Sequence, residues 1–157
     1  MSMPALTIWS PFGSMIAAGV KTIETRTHNR YSSLQGQRIA IHQGKKQVPT
    51  DRVFTAARAV GASRAATWLM YHSSECPRGH VIATAFVPTA RALDGSIDDN
   101  VAACFETEGL YGLILTDIRQ LEVPVKVKGQ QGVWQWDQQG ERYANQEEPT
   151  RYRLDAR

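Results

Sequence analysis

Three charged residues, Lys21, Glu24 and Arg26, have types and spacing that suit chemistry on a bound ligand. They lie in Gly-Val-Lys-Thr-Ile-Glu-Thr-Arg, residues 19–26, which has the character of a short strand. Side chains alternate faces along a strand, so Glu24 and Arg26 share one face, Ile23 points to the core and Lys21 lies at the strand mouth. Lys and Arg neutralise phosphate, and a carboxylate accepts from an exocyclic base amine. The local pattern by itself favours a solvated face with a weak ion pair, and the alternative is a set of charges that faces a groove and binds a ligand of this kind.

A bend and a short helix must position this strand. Pro11 and Gly13 interrupt the chain, Ser14 is a candidate helix cap, and Gly19 is the expected helix stop. Upstream, residues 5–9 predict a first strand. We therefore expect a strand, a bend, one and a half helical turns and a second, charged strand.

This order of segments resembles the opening of the ASCH domain, a module named for its homology to a transcription coactivator. The family pattern is a hydrophobic strand, a Gln-Pro-Trp-like tripeptide, a short helix and Gly-x-Lys-x-x-Glu-x-Arg. Here Thr7-Ile8, Ser10-Pro11-Phe12 and residues 19–26 follow in that order. Ser10 and Phe12 stand where the family usually carries Gln and Trp.

A second family signature lies about a hundred residues further on. The family carries Lys-Gly, a short loop and an apolar-Trp pair, and this chain has Lys128-Gly129 followed by Val133-Trp134. The resemblance covers roughly Leu6 to Trp136. It implies a PUA-like barrel, as found in RNA-modifying enzymes, with the site between the Pro11-Phe12 bend, the charged strand and the Lys128-Gly129 loop.

The rest of the sequence predicts an α+β domain in which helices are inserted around a small mixed or antiparallel barrel. Residues 38–42 alternate, so Ile39 and Ile41 are expected in the core, and Arg38 and His42 outside. The predicted elements are a strand ending at Gly44-Lys45-Lys46, a helix capped by Thr50, a second helix capped by Ser63, strands at 80–87 and 109–121, and an irregular acidic segment at 93–108. Domain 1–137 is followed by a polar extension, 138–157, which we expect to be partly disordered.

Basic residues are concentrated in the first half of the chain. The net charge is only +3, yet between residues 27 and 74 Asp51 and seven basic residues occur: Arg30, Arg38, Lys45, Lys46, Arg52, Arg58 and Arg64. Such a half is typical of a polyanion binder, although a positive solvated face is equally compatible. The resemblance implies a basic pocket residue in the loop at 27–37, and Arg30 matches it.

Composition bounds the remaining possibilities. No apolar run reaches the roughly 18–20 residues that span a bilayer, and the N-terminus lacks a signal-peptide pattern. Cys76 and Cys104 form neither a metal-type pair nor a disulfide framework. His28, His42, His72 and His80 lack ligand spacing, so we expect no metal and no cofactor. The setting expected by default is the cytoplasm.

Two classes of function stay open. The first is a binding module for RNA, single-stranded nucleic acid or a modified nucleotide, with Trp9 or Phe12 stacking a base. Its expected binding residues are Ser10, Pro11, Phe12, Lys21, Glu24, Arg26, Arg30, Lys45, Lys46, Lys128 and Gly129. The second is a hydrolase: the resemblance implies an amidohydrolase acting on N4-acetylcytidine with Lys21 and Glu24 catalytic, Glu24 standing where those members carry Thr. A ribonuclease using Tyr31, Lys45 and Lys46 is the remaining alternative.

Overall fold

The computed structural model describes residues 1–72 and 77–144. The strands are β1 (Ser2–Ser10), β2 (Ile23–Arg26), β3 (Gln37–Gln47), β4 (His80–Ala92), β5 (Tyr111–Lys126) and β6 (Trp134–Asp137). The helices are α1 (Phe12–Ala17), α2 (Thr50–Ala59), α3 (Ser63–His72) and α4 (Ile97–Ala103), with a 3-10 turn at Ser32–Leu34. None of the helices in these ranges is long and apolar enough to cross a membrane.

The six strands form one mixed sheet in the order β2-β5-β4-β3-β1-β6. Strands β1 and β3 pair in parallel, and the other neighbours pair in an antiparallel manner. The predicted α+β class with a mixed sheet is confirmed. The sheet is not closed into a complete hydrogen-bonded barrel, because β2 and β6 are its two edges in the described part of the chain.

Strand β3 is the centre of the molecule and is covered on both faces. Ile39 and Ile41 are fully buried, as predicted, and they join a cluster with Leu6, Ile16 and Ile82. The opposite face packs on a second cluster, which contains Ala5, Ala40, Val81, Leu121, Trp134 and Trp136. The prediction that His42 faces outward is wrong: a strand buried on both faces cannot follow simple alternation, and His42 is only 2% exposed.

Element boundaries differ from the predictions in places where tertiary pairing decides them. Strand β3 continues through Gly44-Lys45-Lys46, because the neighbouring strand β1 pairs with it as far as Gln47. Helix α4 lies in the acidic segment predicted to be irregular, and its N-cap Ser96 accepts from the Asp99 amide. That Ser-x-x-Asp pattern is a recognisable start signal.

Two predicted helix caps are not used. Ser14 donates its hydroxyl to Gln43 Oε1 at 2.9 Å, and α1 begins after Pro11. Thr50 is itself the first residue of α2, after Pro49. The predicted stop at Gly19 is confirmed, since α1 ends at Ala17 and Gly19 has a φ of 76°.

The predicted C-terminal extension lies partly within the described residues. Tyr143 forms a bridge to Leu121 of β5 and packs against the tryptophan cluster. Gln138 donates its side-chain amide to the Tyr143 hydroxyl at 2.6 Å. The first part of the extension is therefore attached to the domain, whereas residues 145–157 and Cys76 lie outside the described residues.

Candidate functional site

The turn between α1 and β2 directs Lys21 into the protein. The amides of Val20 and Lys21 both donate to the Met15 carbonyl, at 3.0 and 3.2 Å. The Thr22 amide donates to Ala102 of α4 at 2.9 Å. Lys21 is consequently only 1% exposed, rather than lying at an open strand mouth as expected from the sequence.

The Lys21 ammonium is held among a carbonyl and two aromatic rings. Nζ donates to the Ala103 carbonyl at 2.7 Å and lies 4.7 Å from the centroid of Phe105 and 5.2 Å from that of Phe12. Burial lowers the Lys21 pKa, and the nearby Glu24 carboxylate acts in the opposite direction. The aromatic faces also favour the charged form.

Glu24 and Arg26 lie together, as their spacing predicts. Arg26 Nη2 is 3.5 Å from Glu24 Oε1, and Glu24 is 8% exposed. The Arg26 guanidinium also lies 5.3 Å from the centre of the Tyr31 ring. Its Nε is buried and has no hydrogen-bond partner among the described residues. Arg26 therefore keeps a donor that its protein neighbours do not use.

These residues line a cavity of about 400 Å³, here called the inner pocket. Its charged residues are Lys21, Glu24 and Arg26, and Phe12 and Phe105 supply aromatic wall. The remaining wall is formed by Thr7, Ile8, Trp9, Thr25, Thr27, His28 and Leu110. The structure thus brings the predicted catalytic pair and Phe12 into one cavity.

A larger and more basic cavity, the outer groove, adjoins the inner pocket. Its volume is about 1010 Å³, and its cations are Arg26, Arg30, Lys45, Arg78, Lys126 and Lys128. None of its described lining residues is Asp or Glu. Thr7, Trp9 and Arg26 line both cavities, so the two are adjacent.

The sequence predicted four of these six cations and missed two. Arg26, Arg30, Lys45 and Lys128 converge on the outer groove, together with the predicted Gly129. Lys126 was missed although its spacing from Lys128 is the alternation that predicts one strand face, and β5 itself ends at Lys126. Arg78 precedes β4, and no sequence pattern around it predicted a binding residue. Its place beside the outer groove depends on tertiary structure, in which its side chain donates to the Lys45 carbonyl at 3.1 Å.

A buried polar network fixes the loop at 127–132, which forms one wall of the outer groove. His42 Nε2 lies 2.8 Å from the Val127 carbonyl, and its Nδ1 lies 3.2 Å from Thr7 Oγ1. Because a carbonyl only accepts, Nε2 carries the proton and Nδ1 accepts from Thr7, which in turn accepts from Trp134 Nε1 at 3.2 Å. Burial lowers the His42 pKa, which favours the neutral ring that this network requires.

Gly129 has a packing role that the sequence did not indicate. A Cβ atom there would lie 2.5 Å from His42 Cε1 and 2.6 Å from Thr7 Oγ1. Only glycine allows the loop to approach this network so closely. Its place in the groove wall is therefore set by the protein interior as well as by the cavity.

The other predicted binding residues lie further from the two cavities. Ser10 is buried, and neither Ser10 nor Pro11 lines the inner pocket or the outer groove. Lys46 Nζ lies 3.7 Å from the centroid of Trp9, which is 49% exposed. No group of three or more His, Cys, Asp or Glu residues arranged to hold a metal occurs within 1–72 and 77–144.

Comparisons with family models and with curated protein sequences gave no match. Among solved structures, the chain is similar to ASCH from Zymomonas mobilis, with 16% sequence identity, 79% of this chain and 73% of that chain covered, and a TM-score of 0.48. A serine-to-alanine mutant of the same protein is similar at 16% identity, with 78% and 72% covered and a TM-score of 0.48. Both structures bear the name of the domain that the two sequence motifs resemble.

Proposed function

We propose that this protein binds single-stranded nucleic acid, with phosphates in the outer groove and one base in the inner pocket. The observation that carries this proposal is the set of six cations lining a groove without any acidic residue among its described walls. Phosphate oxygens are the ligands that such a groove attracts. A groove built to bind a mixed-charge protein surface would be expected to carry both signs of charge.

The inner pocket supplies the features expected for a base. Glu24 Oε1 accepts hydrogen bonds, and the exocyclic amine of cytosine is a matching donor. Phe12 and Phe105 provide apolar walls, and Trp9 lies where the pocket meets the outer groove. A base that stacks on such a ring gains roughly 1–3 kcal/mol. This arrangement supports entry of a base from a strand whose phosphates remain in the groove.

Arg26 lies between the two proposed subsites. Arg26 lines both cavities, and its guanidinium is fixed by Glu24 on one side and the Tyr31 ring on the other. A fixed guanidinium loses little side-chain entropy when it binds phosphate. Arg26 is thus the residue proposed to hold the phosphate next to the bound base.

The test is binding of a fluorescently labelled single-stranded RNA, measured by anisotropy, to the wild type and to Arg30→Ala. Arg30 is exposed and makes no ion pair in the structure's described part, so its loss is expected to weaken binding several-fold without unfolding. Arg64→Ala is the matched control, because Arg64 is exposed on α3 and does not line either cavity. Equal affinity in all three proteins would contradict the proposal.

A second candidate function is hydrolysis of an N4-acylated cytidine, favoured by one observation. Lys21 lies in the same pocket as Glu24, and burial lowers its pKa towards the range in which a neutral amine acts as a base. Release of cytidine from N4-acetylcytidine by the wild type, lost in a Lys21→Met variant that circular dichroism shows to be folded, would establish this activity and assign it to Lys21. Unchanged substrate would exclude it.

Cleavage of RNA is distinguished in the same samples. Tyr31 and Lys45, two of the three residues predicted for phosphate-ester chemistry, both line the outer groove. Chromatography of the RNA after incubation separates shortened products from intact strands. Intact RNA together with retained binding would leave the binding function as the better account.

A further inference from the structure

A third cavity adjoins the two already described. Its volume is about 200 Å³, and it shares Arg26 and Tyr31 with the outer groove. Arg26 and His28 also line the inner pocket, so all three cavities meet around Arg26. The other lining residues of this third cavity are Asn29, Ser32, Ala90, Arg91, Ala92, Tyr111, Gly112 and Leu113.

The walls of the third cavity suit a flat ring. Tyr31 stands on one side, with the His28 ring perpendicular to it at a centroid distance of 4.9 Å. Tyr111 is 37% exposed and also lines the cavity. Ala90, Ala92 and Leu113 are small or apolar, and none of the described lining residues is acidic. Aromatic rings beside small apolar residues are typical of sites that stack a base, and Arg26, His28, Asn29, Ser32 and Arg91 supply polar groups around them.

The charged residues that line the third cavity are Arg26 and Arg91. Arg91 donates to both carboxylate oxygens of Asp99, at 2.7 and 2.9 Å, so this pair contributes little net charge. Arg26 has a longer ion pair, 3.5 Å to Glu24 Oε1, and a buried Nε without a partner among the described residues, so it is the cation of this cavity with more capacity for a ligand. Aromatic and apolar lining residues beside an arginine match a base and the phosphate that follows it.

We infer that the third cavity binds the base of a second nucleotide, so the ligand is an oligonucleotide rather than a free nucleotide. This inference rests on the proposed function. The Tyr31 and Arg26 pair lies where the third cavity meets the outer groove and holds the phosphate that joins the two nucleotides. The inner pocket holds the first base, and Tyr111 stacks on the second base. Tyr111 therefore contributes to tighter binding of an oligonucleotide than of a mononucleotide.

The experiment compares a labelled mononucleotide with a labelled single-stranded RNA hexamer for the wild type, Tyr111→Ala and Tyr111→Phe. We expect Tyr111→Ala to weaken binding of the hexamer about tenfold and to leave binding of the mononucleotide unchanged, as the loss of one stacked base predicts. Tyr111→Phe keeps the ring and is expected to retain the affinity of the wild type. Circular dichroism establishes that each variant is folded.

Arg30→Ala, measured in parallel, separates failure of this inference from failure of the proposed function. If Arg30→Ala weakens binding of the hexamer but Tyr111→Ala does not, the second subsite is wrong and the proposed function stands. If the wild type binds neither the hexamer nor the mononucleotide, the second subsite and the proposed function are both wrong. If Tyr111→Ala weakens both ligands equally, Tyr111 does not act on a second nucleotide and the inference is overturned.

Discussion

The inner pocket and the outer groove use the same kinds of charged residue in opposite ways. In the inner pocket, Lys21 is 1% exposed and bonded to a carbonyl, with Glu24 nearby. In the outer groove, Lys45, Lys126 and Lys128 are exposed. A buried charge requires partners to offset its desolvation, whereas an exposed charge is already solvated. Stability therefore depends on the first region, and electrostatic attraction of a ligand depends on the second.

The largest expected effect is that of Lys21→Ala on stability. The substitution removes the donor to the Ala103 carbonyl and leaves Glu24 with less compensation, so we expect a loss of about 2–4 kcal/mol. This differs from the expectation from the sequence, in which Lys21 lies at an open strand mouth. Urea denaturation measures the difference, with Lys128→Ala as the exposed control, expected within about 0.5 kcal/mol of the wild type. Equal free energies of unfolding for Lys21→Ala and Lys128→Ala would contradict the difference between the buried and the exposed lysine.

The next effect concerns the wall of the outer groove. Gly129→Ala places a Cβ against His42 and Thr7, so we expect a loss of about 1–3 kcal/mol and weaker RNA binding as the loop moves. Gln130→Ala is the matched control, because Gln130 is exposed in the same loop. Denaturation and anisotropy measure the two quantities. If Gly129→Ala has the stability and RNA affinity of the wild type, the loop at 127–132 accommodates a Cβ atom and the close packing of Gly129 is not required.

The network behind that wall predicts a dependence of stability on pH. The folded-state pKa of His42 is lowered below its ordinary value of about 6.5, so the unfolded chain binds more protons as the pH falls. The stabilising contribution is present above pH 6.5 and is lost as the pH falls towards the folded pKa. We expect His42→Gln to destabilise the protein more at pH 8 than at pH 5, as measured by thermal unfolding. A difference that is independent of pH would contradict a neutral, buried His42.

The sequence predicted the α+β class and the grouping of Glu24 with Arg26, but not which charged residues are buried. Alternation along residues 23–26 correctly placed Ile23 in the core and Glu24 beside Arg26. Alternation failed at His42, because whether a strand is covered on both faces depends on elements distant in sequence. Burial of Lys21 was missed for the same reason: its partner Ala103 lies at the end of a helix far along the chain.

The smallest expected effect on stability belongs to the exposed cations, and their effect on binding tests the central claim most directly. The measurement is the affinity for single-stranded RNA as a function of salt concentration, for the wild type, the double variant Arg30→Ala/Lys128→Ala and the double control Arg52→Ala/Arg64→Ala. Each charge that contacts a phosphate contributes about 0.7 to the slope of log affinity against log salt for a single strand. We expect the groove variant to lose about 1.4 of this slope and the control to keep the slope of the wild type. Equal slopes for the groove variant and the wild type would contradict binding of nucleic acid in the outer groove.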